Sequence, residues 1–239
     1  MTITQALRVP LREVLYALGL FSWVIVVVQG ISKAVYEVAR RKYGSEYVGI
    51  YFARKVIHIL AGGLVALVIP LFDLFSSFLL PLTLALVLAL FCWWPHHTGK
   101  LMYWFQDPSN MYEVDFCLVW GAIMTLSWLL TGGWWLGVVP ILFMAVGDGV
   151  TGIVRNFLFK RRTKHWSGNL AMFAICAPMG YFLGPFYLAG VLAAAASSAI
   201  EHVEKIGDRY IDDNITVPLT AFAILALFAL LGIPFTMVA

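Results

Sequence analysis

Long apolar runs recur along this chain from its first twenty residues to its last twenty, separated by short charged segments. The runs predict helices over 14–36, 56–72, 75–95, 115–131, 134–147, 169–184, 185–200 and 217–237. A helix rising about 1.5 Å per residue needs about 20 residues to cross the hydrocarbon of a bilayer. Several of these runs are shorter, so some helices are expected to break or stop at a site inside the membrane. Gly184-Pro185 interrupts 169–200, which reads as two short helices or one long one. The expected fold is all-α: one polytopic domain over 1–239, a bundle of about eight transmembrane helices with seven to nine open.

Charge orients the bundle. With eight spans, the loops 37–55, 96–114, 148–168 and 201–216 share one face. They carry Arg40, Arg41, Lys42, Arg54, Lys55, Lys100, Arg155, Lys160, Arg161, Arg162, Lys164, Lys205 and Arg209. The opposite face keeps Arg8 and Arg12, and Lys33 lies near the end of the first span. Excess lysine and arginine marks the cytoplasmic side, so both termini are expected outside. Were 169–200 a single span, Lys205 and Arg209 would move to the wrong side. Most acids follow the bases: Asp107, Glu113, Asp115, Asp148, Glu201, Glu204, Asp208, Asp212 and Asp213 fall on or beside the same face. Polar chemistry gathered on one side suits an enzyme that meets a soluble reagent there and a lipid in the membrane.

Composition agrees. Hydrophobic residues make up 62% of the chain and charged residues 12%, against about 25% charged in soluble domains. An integral membrane protein is expected, in a prokaryotic plasma membrane, with the first run a retained helix rather than a cleaved signal. Cys92, Cys117 and Cys176 lie inside apolar runs with no CxxC spacing. They read as small buried hydrophobes.

Four short segments carry candidate chemistry. In ARKVIHILAGG, Arg54 and Lys55 stand at a membrane boundary and His58 lies one turn deeper. Lys55 and His58 are three apart and share a helix face. Flanking bases are ordinary in membrane helices, but an imidazole within the span points to function. In GDGVTG, Gly147 and Gly149 bare the backbone beside Asp148. Such a carboxylate suits Mg²⁺ carrying phosphates, with a helix-capping Asp as the plainer reading.

In KRRTKHWSGN, Lys164 is followed by Ser167, Gly168 and Asn169 at the start of the next run. A helix N-terminus near a lysine is an anion site, and positive-inside flanking explains Arg161 and Arg162 but not the small polar residues. In EHVEKIGDRYIDDNITVP, Asp212, Asp213 and Asn214 precede Pro218 and the last run. Three oxygen-bearing side chains suit Mg²⁺ or a ribose, or a cap for the last helix. His96-His97 reads as a polar loop pair rather than a metal pair. Trp93-Trp94 and Trp134-Trp135 fit interfacial belts. No GxxxxGK[ST], HRD or DFG pattern occurs.

In order, these segments resemble the membrane polyprenol kinase superfamily: dolichol kinase, phytol kinase and its archaeal geranylgeraniol kinase relatives, and the CTP-dependent diacylglycerol kinase of fungi. The pieces that carry the likeness are Arg54-Lys55-Val56-Ile57-His58, Gly147-Asp148-Gly149, Lys164 through Phe173, Glu201, and Asp212 through Leu219. They span about 50–220. The sequence departs at His165 and Asn169, where the family carries small hydroxyl residues, and at Val150-Thr151. Ser167 stands where dolichol and diacylglycerol kinases carry Glu, which tilts the likeness toward phytol and geranylgeraniol kinases.

The resemblance implies transfer of the γ-phosphate of CTP, or another nucleoside triphosphate, to the hydroxyl of an isoprenoid alcohol such as geranylgeraniol or phytol. It implies Mg²⁺ held by Asp148 with Asp212 or Asp213. Asp148, Lys164 and His58 would be catalytic. Arg54, Lys55, Gly147, Gly149, Lys164, Ser167, Gly168, Asn169, Glu201 and Asn214 would bind nucleotide and phosphate. The partners expected are bilayer lipid, the alcohol and the triphosphate, with no nucleic acid. Cytidylyl transfer to make a CDP-lipid, and membrane transport, stand as alternatives.

Overall fold

The computed structural model describes residues 9–159, 163–203, 205–206, 209–210 and 212–232. Arg8, Lys160, Arg161, Arg162, Glu204, Asp208 and the end of the last expected span, 233–237, lie outside the described residues.

Among the described residues eight helices follow in order: α1 Leu11–Tyr43, α2 Glu46–Leu71, α3 Leu79–Thr98, α4 Tyr112–Thr131, α5 Trp135–Phe159, α6 Trp166–Phe182, α7 Tyr187–Glu201 and α8 Asp213–Leu230. The strands among the described residues are β1 Lys205–Ile206 and β2 Arg209–Tyr210, an antiparallel pair that places Lys205 opposite Tyr210. Helices α1 to α5 and α8 are long and apolar enough to cross a membrane.

Each expected run falls on one helix, but the helices outrun the apolar stretches. Residues 37–43, 46–55 and 148–159, expected as loop, are helical. Lysine and arginine favour helix almost as well as leucine, and the bases Arg40, Arg41 and Lys42 suit the last turn of α1, where carbonyl dipoles accumulate. Gly44 then ends α1 with φ +66°, and Ser45 caps α2 by accepting from Val48 N at 3.4 Å.

Stretch 169–200 forms two helices. The break comes at Leu183–Phe186, with Gly184 at φ +76°. Before and after it, Gly180 and Gly190 press backbone to backbone: a Cβ on Gly180 would lie 2.5 Å from the Gly190 carbonyl oxygen. Small residues permit this approach between apolar helices.

Three helices contain a π turn, a wider turn of the helix: Val27–Ile31 in α1, His58–Gly63 in α2 and Phe143–Gly147 in α5. Such turns disturb the regular carbonyl ladder and are common near functional sites. Here side chains meet the carbonyls. Trp104 Nε1 donates to Val28 O at 2.9 Å, Trp23 Nε1 to Leu60 O at 2.9 Å and Trp120 Nε1 to Gly62 O at 3.1 Å. Thr151 Oγ1 donates to Gly147 O at 2.9 Å.

The chain divides into two compact units, 1–125 and 126–239, with the boundary inside α4. In the first, Tyr36, Ala53, Trp104 and Phe105 form a buried cluster where the ends of α1 and α2 pack. Tyr36 rests on Gly49, whose Cβ would come within 2.7 Å of the ring. In the second, α5 packs against α6 and α8, and α7 packs against both of these. Helix α5 is the centre: 67% of its apolar window is buried, against 39% or less for the other five long helices.

Candidate functional site

The second unit gathers its charges in one place. Asp148 lies in the middle of α5, immediately after the π turn, rather than at a helix end. Thr151 and Arg155 follow it at three and seven positions, on the same helix face. Lys164 comes from the segment before α6, Asn169 from the first turns of α6, Glu201 ends α7 and Asp213 begins α8. Carboxylate oxygens of Asp148, Glu201 and Asp213 lie within 4.8 Å of one another.

Arg155 organises the cluster. Its guanidinium donates to both carboxylate oxygens of Glu201, at 2.8 Å each, to Asn169 Oδ1 at 2.8 Å and to the His165 carbonyl at 2.9 Å. The planar fork matches a carboxylate at both oxygens. Lys164 Nζ uses all three donors: on Glu201 O at 2.8 Å, Glu201 Oε1 at 2.9 Å and Asp213 Oδ2 at 2.9 Å. Asn169 Nδ2 closes the ring on Ser198 O at 2.6 Å and Glu201 Oε2 at 2.9 Å.

The electrostatics follow. Glu201 sits at a helix C-terminus, where the dipole disfavours a carboxylate, and two cations offset that. Burial pulls the Lys164 ammonium toward neutrality, but the carboxylates of Asp213 and Glu201 outweigh it and hold its pKa above the ordinary 10.5. Three carboxylates against Arg155 and Lys164 leave one formal negative charge.

The donor set fits a hard divalent cation such as Mg²⁺, which takes carboxylate oxygens. Asp213 Oδ1 is buried without a hydrogen-bond partner among the described residues. Both Glu201 oxygens are already engaged by Arg155, Lys164 and Asn169. Asp212, also expected as a metal ligand, caps α8, its Oδ1 accepting from Asn214 N at 2.9 Å, and Asn214 is buried in the first turn.

Other expected site residues have local work. Gly147 does not open a path for ligand, because a Cβ there would strike Cys176 Sγ at 2.6 Å. It lets α6 approach α5. Gly149 is buried in α5. Gly168 likewise makes room, since its Cβ would lie 2.4 Å from Arg155 Nε. The first N–H groups of α6 are occupied: Ser167 N donates to His165 Nδ1 at 3.2 Å and Gly168 N to His165 O at 3.2 Å. His165, a departure from the family pattern, is thus the cap of α6.

Arg54, Lys55 and His58 belong to the first unit. Arg54 donates to Asn110 Oδ1 at 3.4 Å and lies over the Tyr112 ring. Lys55 lies over Tyr51. His58 is buried and stacks on Phe116 with ring centres 4.3 Å apart. Arg54 and His58, four apart, line one cavity, whereas Lys55 does not join them.

Arg155 was legible only as a flanking base, although its spacing of seven from Asp148 places both on one face. In sequence Glu113 reads only as an acid of the charged face, and His96 only as half of a polar pair. His96 Nε2 and Glu113 Oε1 lie 2.6 Å apart, while His97 stacks on Trp93.

No family model matches the chain, and neither does any curated protein or solved structure.

Proposed function

We propose that this chain is an integral membrane kinase that transfers the γ-phosphate of CTP, or another nucleoside triphosphate, to the hydroxyl of an isoprenoid alcohol such as geranylgeraniol or phytol. One observation carries the reading. Asp148, Lys164, Glu201 and Asp213 come from three separate motif segments that resemble the polyprenol kinase pattern, and with Asn169, a departure from that pattern, they meet in one charged cluster beside apolar helices. A merely structural set of flanking charges has no need to converge.

Phosphoryl transfer is chiefly positioning and charge neutralisation. Asp148 and Asp213 would hold Mg²⁺, which supplies positive charge to the phosphate oxygens. Lys164, tied to Glu201 and Asp213, adds a second cation. Arg155 and Asn169 fix Glu201 and so position the lysine. The alcohol oxygen forms a bond to the γ-phosphorus as the bond to the leaving nucleoside diphosphate breaks, and the hydroxyl proton passes to a cluster carboxylate. The bias of lysine and arginine sets the charged segments on the cytoplasmic side and both termini outside.

The test is transfer of label. Purified protein in detergent, Mg²⁺, geranylgeraniol and γ-labelled CTP or ATP should give labelled prenyl monophosphate, and the better donor names the nucleotide. Label passing instead from α-labelled CTP to a phospholipid, with release of pyrophosphate, would make this a cytidylyltransferase. Binding or flux with no triphosphate turnover would make it a transporter.

A further inference from the structure

The first unit encloses an apolar cavity between α1, α2, α3 and α4. It is partly open: about 940 Å³ lies within its outline, open solvent included, and the centre of a water-sized sphere can move through about 100 Å³ of it. Its lining follows α2 from Arg54 to Ile69, and a space that tracks a helix suits one extended chain better than a rounded headgroup. Its walls are almost entirely carbon, from side chains such as Val24, Val65, Leu84, Leu88 and Trp120. Three polar residues break the lining: Arg54, His58 and Glu113.

Glu113 is the unusual one. It is 7% exposed. Its Oε1 takes two partners, His96 Nε2 at 2.6 Å and Gln106 Nε2 at 2.9 Å. Gln106 is itself fixed, donating also to Cys92 O at 2.8 Å and accepting from Met102 N at 2.9 Å. All this holds the carboxylate in one pose. Its second oxygen, Oε2, is buried and has no hydrogen-bond partner among the described residues. A buried carboxylate oxygen with no donor is costly. The protein has built a rigid acceptor into the wall of an apolar cavity and supplied no donor for it.

We infer that this cavity binds a single-chain lipid alcohol, its hydrocarbon between the helices and its hydroxyl donating to Glu113 Oε2. The isoprenoid identity of that alcohol rests on the kinase reading above; the binding of a chain with a donor head does not. A hydroxyl can donate to this oxygen, whereas an ionised carboxylate cannot. Stacking on Phe116 fixes the His58 ring beside the site, and Arg54 completes the polar part of the lining.

The test uses the full protein in detergent with a geranylgeraniol analogue bearing a diazirine at its far end, irradiated and mapped by peptide mass. Label is expected on α1 to α4 within residues 1–125, with unlabelled geranylgeraniol as competitor. Geranylgeranyl methyl ether keeps the chain and loses the donor, and should compete about tenfold more weakly. Leu84→Trp fills the cavity away from Glu113 and should abolish the label. Label confined to other peptides, an ether that competes as well as the alcohol, or a folded Leu84→Trp protein that labels normally would each overturn the inference. The ether comparison needs no variant, so it decides even if Leu84→Trp fails to fold. The two readings also fail separately. Labelling as expected without phosphate transfer leaves the cavity standing and removes the kinase. Unchanged transfer in Leu84→Trp does the reverse.

Discussion

Arg155 and Glu201 face each other across a two-pronged ion pair, with both N–O contacts at 2.8 Å and side-chain exposures of 7% and 2%. They join the last turns of α5 to the end of α7. A buried pair of this kind penalises the loss of one partner far more than the loss of both, because a single deletion strands the other charge.

Arg155→Met is therefore expected to lower stability by about 3–5 kcal/mol, and Glu201→Met by a similar amount. The double variant should cost clearly less than the sum. Thermal unfolding of the four proteins in one detergent measures the coupling. Additive losses would show that the pair is not a unit.

The adjacent acids Asp212 and Asp213 should separate cleanly. Asp213→Asn is expected to reduce phosphate transfer by about a hundredfold or more, as loss of a charged transition-state contact does. Asp148→Asn should do the same and leave the fold intact. Asp212→Asn, which keeps the cap on α8, should retain activity, while Asp212→Ala should cost about 1 kcal/mol of stability. Wild-type transfer by Asp148→Asn would remove the metal assignment.

Gly168→Ala is expected to destabilise by about 1–3 kcal/mol, because the new methyl meets the Arg155 side chain. Gly19→Ala is the matched control. Nothing lies within 4 Å of a Cβ at Gly19 in α1, and alanine there should stabilise the helix by about 0.5–1 kcal/mol. Melting temperatures of the two variants should move in opposite directions.

The lysine gives a pH signature. Its pKa is raised on folding by Asp213 and Glu201 against the pull of burial. A raised value means that its contribution is complete below the ordinary 10.5 and is lost as pH climbs through the higher folded value. Wild-type protein should lose stability above that point faster than Lys164→Met. Parallel pH profiles for the two would show that the ion pairs add nothing.

How far the sequence reaches is clear from particular residues. Apolar runs located all eight helices, and Gly184-Pro185 marked the break between α6 and α7. Helix ends escaped, because the rule that charge leaves the membrane says nothing about charge leaving a helix. Arg40 to Lys42 and 148–159 stay helical past the apolar stretch. The cluster's acids and lysine were legible from motif segments. Asp212 was not separable from Asp213 by spacing, since adjacent residues at a helix start differ by cap geometry alone. Arg155 was hidden among flanking bases, and Glu113 by a partner, Gln106, that a non-helical segment folds back onto it.

The π turn Phe143–Gly147 acts as a one-residue insertion written into α5. Each residue advances a helix by about 100°. Remove one position from 143–147 and everything downstream turns by that angle: Asp148 leaves its neighbours and Arg155 swings off Glu201. The cluster is therefore fixed by a count of residues as well as by their kinds. Relatives in which this stretch is one residue shorter would keep the same acids and bases and aim them elsewhere.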